Sequence, residues 1–360
     1  MHLLVNTGGG DAAGLNAVIH AATVAALKKG WKITGIRDGY EGLLQKGRVG
    51  LIPLTWEKVR GIAHLGGTIL GTKNFGHPFA HPVTRNGKTH TIDVSKQILH
   101  RFKELKADAL IVIGGDGSLR IAHRFHEMGM PLVAIPKTID NDLCGTIQTF
   151  GFDTAVSVAT DAIGRLHTTA ESHSRVMVVE VMGRNAGWIA LYSGLAGGAD
   201  VILIPEIDYD LKNILKKIKE REKSGINFSI VVAAEGAKTK GGNLLYQKTG
   251  AGKKKRLGGL GEKIAWQIEE QSGKEARTVV LGHLQRAGSP THMDRILSLR
   301  FGTYAVELIA QKKFGNMVAY MPPQMRAYPI SKAIKGVNTV PLDSDILTTA
   351  RELGISFGDI

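Results

Sequence analysis

The chain has 360 residues, 43% of them hydrophobic and 22% charged, a length and balance that suit two globular domains and argue against disorder. Its net charge of +14 points to anionic partners, and its one cysteine, Cys144, excludes an intrachain disulfide and favours a cytoplasmic setting. No run of 18 apolar residues exists, the first residues lack the charged flank of a signal peptide, and the 6% of aromatics do not interleave with basic residues, so small phosphorylated ligands are favoured over membrane or nucleic acid.

Leu3–Asn6 reads as a buried strand that runs into Thr7-Gly8-Gly9-Gly10-Asp11-Ala12-Ala13-Gly14. A helix from about Leu15 to Lys29 follows, with apolar residues at Val18, Ala21, Ala22, Ala25 and Ala26, and stops at Gly30. Trp31–Ile36 closes a strand–loop–helix–strand unit. The three glycines do not fit the GxGxxG dinucleotide fingerprint. Gly66–Phe75 is a second loop of small residues, whose Lys73 either reaches a phosphate or sits solvated. Residues 94–106 read as a helix.

Ala109–Ile113 is a buried strand followed by Gly114-Gly115-Asp116-Gly117-Ser118 and a helix, with Ser118 the N-cap candidate and Gly129 the C′ candidate. Glycines let a backbone approach phosphate closely, and Asp116 suits Mg²⁺, which takes one or two carboxylates plus phosphate oxygens. A tight turn uses the same residues. The next strand, Leu132–Ile135, ends in Pro136-Lys137-Thr138-Ile139-Asp140-Asn141-Asp142. Asp140 can take a proton from a hydroxyl, Asp142 can hold a cation and Lys137 can meet a phosphate, or the segment is a polar turn. Two such loops after successive strands favour a nucleotide or phosphate site, because strand ends are where ligands bind in open α/β sheets.

Phe152 to about Leu166 reads as a helix with Asp153 as N-cap candidate. Arg175–Val181 is an apolar strand ending in Met182-Gly183-Arg184-Asn185-Ala186-Gly187. Val201–Ile204 and Phe228–Ala233 are further strands, the second ending at Glu235-Gly236, with a basic helix over about 211–224 between them. Residues 239–261 read as a surface loop, whose Thr249–Lys254 imitates a P-loop but fails its spacing. A helix over 262–272 and the strand Thr278–Leu281 lead to Gly282-His283-Leu284-Gln285-Arg286-Ala287-Gly288-Ser289-Pro290 and a helix over about 292–312. The alternation predicts an α/β fold of parallel sheets wrapped by helices, with the strand-end loops converging on one cleft between two domains.

Together these motifs resemble the phosphofructokinase family. The matching pieces are Gly9–Asn16, Gly114–Ser118, Pro136–Asp142, Met182–Arg184 and Leu281–Pro290, in the family's order over residues 1–305. The resemblance implies two Rossmann-like doubly wound domains with mainly parallel sheets and the active site in the cleft between them. Residues 1–151 with 285–335 would hold the phosphoryl donor, and residues 152–284 with 336–360 the sugar phosphate. It implies transfer of the γ-phosphoryl group of ATP to the 1-hydroxyl of fructose 6-phosphate.

By the same resemblance Asp140 is the general base, Arg184 stabilises the transferring group, and Thr138 assists. Asp116 and Asp142 would hold Mg²⁺. Gly10, Lys73, Asn74, Gly115, Asp116, Gly117 and Ser118 fall on donor-binding positions. Thr138, Asp140, Met182, Gly183, Arg184, Glu235, His283 and Arg286 fall on sugar-phosphate positions. Arg175 and Arg277 fall where the family reaches across from a neighbouring subunit, which implies a homodimer or homotetramer.

Gly117 leaves room for ATP where pyrophosphate-using members carry aspartate, whereas Lys137 is typical of the pyrophosphate branch. The mixture occurs in an ATP-using branch. Pyrophosphate as donor, another sugar phosphate such as sedoheptulose 7-phosphate as acceptor, and an inactive nucleic-acid-binding protein on the same fold are the alternatives. Asn74 stands where the family usually has arginine, and Lys73 lacks that residue's bidentate fork. His20, Val24 and His167 stand at effector-site arginine positions, so regulation by ADP or phosphoenolpyruvate is not expected.

Overall fold

A computed structural model describes residues 1–47, 49–73, 77–85, 88–247 and 256–360. The chain forms two compact units. One comprises Met1–Ile139, Leu143–Asp153 and Arg286–Gly336, and the other Asp140–Asp142, Thr154–Gln285 and Val337–Ile360.

The first unit is built on a seven-stranded sheet in the order Gln324–Pro329, Asn316–Met321, Leu132–Pro136, Ala109–Gly114, His2–Thr7, Lys32–Ile36, Leu51–Pro53. Only the two edge strands run antiparallel to their neighbours. The central strands are continuous apolar runs because both their faces are covered, the pattern a parallel sheet requires; Leu132, Val133, Ala134 and Ile135 are all fully buried. Helices Leu15–Lys28 and His292–Ala310 contribute to the core on one face, and Ser95–Glu104 and Asp116–Glu127 to the core on the other. The first two helices touch backbone to backbone at Gly302, where a Cβ would lie 2.6 Å from the Val18 carbonyl oxygen.

Register decides where the loops emerge. Thr7 pairs with Ile113, and Gly114 pairs with Pro136, so three neighbouring parallel strands end level with one another. Gly8 N–H donates to Ile113 O at 2.9 Å and Lys137 N–H to Gly114 O at 3.0 Å, which continues the ladder one residue past the strands.

The second unit carries a four-stranded, wholly parallel sheet in the order Ala276–Val280, Val176–Val181, Ser229–Ala234, Val201–Leu203. Helices Leu211–Lys223 and Leu260–Ser272 bury their apolar stripes against it through Ile214, Ile218, Ile264 and Ile268. Among the described residues, no helix is long and apolar enough to cross a membrane.

Three local expectations need correction. Ser118 does not cap its helix, which begins at Asp116 after an extended Gly115; the Ser118 hydroxyl instead lies against Gly8 and Gly114. Asp153 lies inside the first turn of a longer helix, Phe152–Ser172, and its Oδ2 accepts from Thr291 Oγ1 at 2.5 Å. The span read as a loop over 239–261 contains a short antiparallel pair, Tyr246–Gln247 with Arg256–Leu257, and its helix starts earlier, at Leu260. The P-loop imitation at 249–254 lies outside the described residues.

Candidate active site

In the first unit, the loop Gly8–Gly10 is walled by polar groups from distant parts of the chain. A Cβ on Gly8 would lie 2.7 Å from Ser118 Oγ, one on Gly9 3.4 Å from Lys137 Nζ, and one on Gly10 3.0 Å from Arg286 Nη1. Gly9 also has φ +78°, a conformation that favours glycine. Lys137 is only 4% exposed. Arg286 Nη1 donates to Asp11 O at 2.9 Å, which holds its guanidinium at this loop.

Asp116 opens the helix beside the loop. Its Oδ2 accepts from Arg120 Nε at 2.9 Å, while Oδ1 is buried with no partner among the described residues. An orphaned carboxylate oxygen fits a hard cation whose other ligands are phosphate and water. Gly117 is exposed, and a Cβ there would meet nothing within 4 Å among the described residues. Lys73 is pinned by its backbone, since its carbonyl accepts from Gly9 N–H at 3.2 Å. Asn74 lies outside the described residues. A cavity of about 60 Å³ borders this loop, with Glu41, Lys73 and Ser118 beside apolar Leu44, Val94 and Ile121. Tyr40 also lines it, and desolvation pushes its phenol up, so the ring stays neutral. Thr138, also in this unit, accepts at its carbonyl from Thr149 Oγ1 at 2.7 Å.

In the second unit, Asn141 sits between the two carboxylates with φ +51°, a left-handed conformation that asparagine tolerates better than most residues. Asn338 clamps this turn. Its Nδ2 donates to Asn141 O at 2.8 Å and its backbone N–H to Asp142 O at 2.9 Å, while its own carbonyl accepts from Trp188 Nε1 at 2.8 Å. Asp140 and Asp142 are both half-buried.

The turn Met182-Gly183-Arg184 is held from two sides. Gln285 Oε1 accepts from Met182 N–H at 2.8 Å, and Gly236 N–H donates to Gly183 O at 3.0 Å. Gly236 packs so close to the Arg184 carbonyl that a Cβ would collide with it. Arg184 is exposed and pairs with no carboxylate among the described residues. Met182, Glu235 and His283 together line a cavity of about 220 Å³, with Glu180 and Leu257 in its wall. Arg286, three residues beyond His283, belongs to the first unit at Gly10 instead.

Arg175 and Arg277 are ion-paired within the chain. Arg175 Nε lies 2.7 Å from Glu275, and Arg277 lies 2.8 Å from Glu269 and 2.5 Å from Glu275. The Arg175 guanidinium is the main reason the Glu275 carboxyl sits below its ordinary value.

Three residues that hold this geometry were not singled out by sequence reasoning. Asn338 lies 197 residues from its partner Asn141, and nothing in its surroundings marks it. Glu180 is 3% exposed and accepts from Gly259 N–H at 3.3 Å and Gly261 N–H at 2.7 Å. Gln285 stands inside a recognised motif, which was the one available signal. Asn338→Ala is expected to lower turnover of the implied phosphoryl transfer about tenfold while leaving the thermal midpoint within a few degrees, because small displacements of a reacting group are costly. Steady-state kinetics check this, and unchanged turnover would show that the turn holds its shape unaided.

The profile of the family described as Phosphofructokinase matches residues 2–309. The ATP-dependent 6-phosphofructokinase of Chloroflexus aurantiacus is 50% identical over 355 residues, covering 99% of this chain and 97% of that protein. Phosphofructokinase from Saccharomyces cerevisiae superimposes with a TM-score of 0.79 at 28% identity, over 99% of this chain, which spans 47% of that one. The pyrophosphate-dependent phosphofructokinase from Nitrosospira multiformis superimposes with a TM-score of 0.80 over 99% of this chain and 92% of that one, but at 22% identity it is similar in fold alone.

Proposed function

This chain belongs to the phosphofructokinase family, and from that membership we propose that it transfers the γ-phosphoryl group of ATP to the 1-hydroxyl of fructose 6-phosphate, giving fructose 1,6-bisphosphate and ADP in glycolysis. The observation that carries the reading is the Gly8–Gly10 loop, whose bare backbone faces the Ser118 hydroxyl and the buried Lys137 ammonium. Such a cradle suits a polyphosphate.

The donor phosphates bind at Gly10, Gly115, Ser118 and Lys73. Asp116 and Asp142 would hold magnesium, which would offset phosphate charge during transfer. Asp140 accepts the proton of the sugar hydroxyl, and Arg184 offsets charge on the transferring group. Thr138, Met182, Gly183, Glu235, His283 and Arg286 hold the sugar phosphate. Arg175 and Arg277 exchange their internal carboxylate partners for the 6-phosphate of a neighbouring subunit, in a cytoplasmic homodimer or homotetramer.

ATP is the donor because no described residue fills the space beside Gly117, and the 50% identical relative is named for ATP. A coupled assay on fructose 6-phosphate is expected to show turnover with ATP at least about a hundredfold above that with pyrophosphate, a gap of about 2.7 kcal/mol in barrier. Equal or faster turnover with pyrophosphate would reassign the donor.

A further inference from the structure

We propose that Glu41 is an internal competitor of the phosphoryl donor, its carboxylate occupying the Lys73 ammonium until donor phosphate displaces it. The inference rests on the reading of Lys73 and the Gly8–Gly10 loop as the donor-phosphate site.

Lys73 Nζ lies 3.4 Å from Glu41 Oε2, and His81 Nδ1 lies 3.3 Å from Glu41 Oε1. All three side chains line the cavity that Gly8, Gly9 and Ser118 also line. The pair is set by pinned backbone rather than by two free surface side chains meeting. On one side, Gly9 N–H donates to Lys73 O, and Thr72 Oγ1 donates to Gly9 O at 2.6 Å. On the other, Glu41 N–H donates to Asp38 O, and Asp38 N–H donates to Leu70 O at 2.9 Å. Thr7 Oγ1 donates to Gly71 O at 2.7 Å, and Gly71 has φ +70° with the Asp38 carboxylate where a Cβ would stand. The turn carrying Glu41 and the loop carrying Lys73 are therefore locked to each other.

One ammonium cannot serve both a carboxylate and a polyphosphate at full strength. Donor binding must break the Lys73–Glu41 pair, and the apparent affinity falls by the fraction of molecules in which Lys73 is engaged. His81 gives the displaced carboxylate a remaining hydrogen-bond partner, so the exchange does not strand Glu41. Lys73 is 42% exposed and Glu41 25% exposed at the side chain, so the pair is weak enough for phosphate to open it.

The test is calorimetric titration of MgATP, without sugar phosphate, into the parent protein, Glu41→Gln, Lys73→Met and the double variant. Glu41→Gln is expected to bind about three- to tenfold tighter. Lys73→Met is expected to bind more weakly, and the double variant to match Lys73→Met, because Glu41 acts only through that ammonium. If Lys73→Met binds less tightly but Glu41→Gln does not bind more tightly, the competition is refuted while the donor site stands. If Lys73→Met binds MgATP like the parent, Lys73 is no phosphate ligand, and both the competition and that part of the donor site fall. If Glu41→Gln tightens binding equally with and without Lys73, the carboxylate repels phosphate directly and the exchange is refuted.

Discussion

Asp140→Asn is expected to lower kcat by about 10²- to 10⁴-fold, the usual contribution of a positioned general base. The amide has the shape of the carboxylate but cannot take a proton from the sugar hydroxyl. The substitution leaves the backbone clamp untouched, because Asn338 grips the carbonyls of Asn141 and Asp142 and not the Asp140 side chain. KM for fructose 6-phosphate is therefore expected to change little, and the thermal midpoint to stay within a few degrees. A variant whose turnover stays within a factor of about three would remove Asp140 from the role of base. One that loses turnover and unfolds earlier would indicate a structural part instead.

Gly117→Asp is expected to cut kcat/KM for ATP by about a hundredfold or more while leaving stability unchanged. Gly117 is exposed in the first turn of its helix with no described residue within 4 Å of a Cβ there, so folding gives no reason to exclude a side chain. A carboxylate near the N-terminus of a helix is electrostatically tolerated in the free protein. A bound donor reverses that balance: a like charge about 4 Å from a phosphate costs about 4 kcal/mol at an effective dielectric of about 20. Kinetics with ATP and pyrophosphate side by side check the outcome. If kcat/KM for ATP is unaffected, the space beside Gly117 is not where the nucleotide lies.

The same two positions illustrate what was readable in advance. Asp140 and Gly117 sit in motifs whose meaning is local: an apolar run makes the strand, and glycine or polar residues after it make a loop at its end. Gly114–Ser118 and Pro136–Asp142 could be placed at strand ends for that reason, and the register of three parallel strands brings Gly8, Gly114 and Lys137 level. Ser118 was misread as a cap because the capping preference is also local. Its hydroxyl is drawn instead to a loop 110 residues earlier, a partner that propensity does not see.

What the sequence by itself determined is the set of chemical groups, the alternation of strand and helix, and the α/β class. These depend on periodicity and on the conformational freedom of glycine, which act within a few residues. What only the tertiary structure decided is how those groups are held. Asn338 clamps the Asp140 turn, Gln285 fixes Met182, Arg286 settles at Gly10 while His283 lines the other unit's cavity, and Glu41 takes up Lys73. Each of these contacts joins residues from 32 to 276 positions apart, and ordinary surface or core residues supply one side of most of them. A hydrogen bond or ion pair depends on distances of about 3 Å, and the chain reaches those distances only after its sheets have set the register.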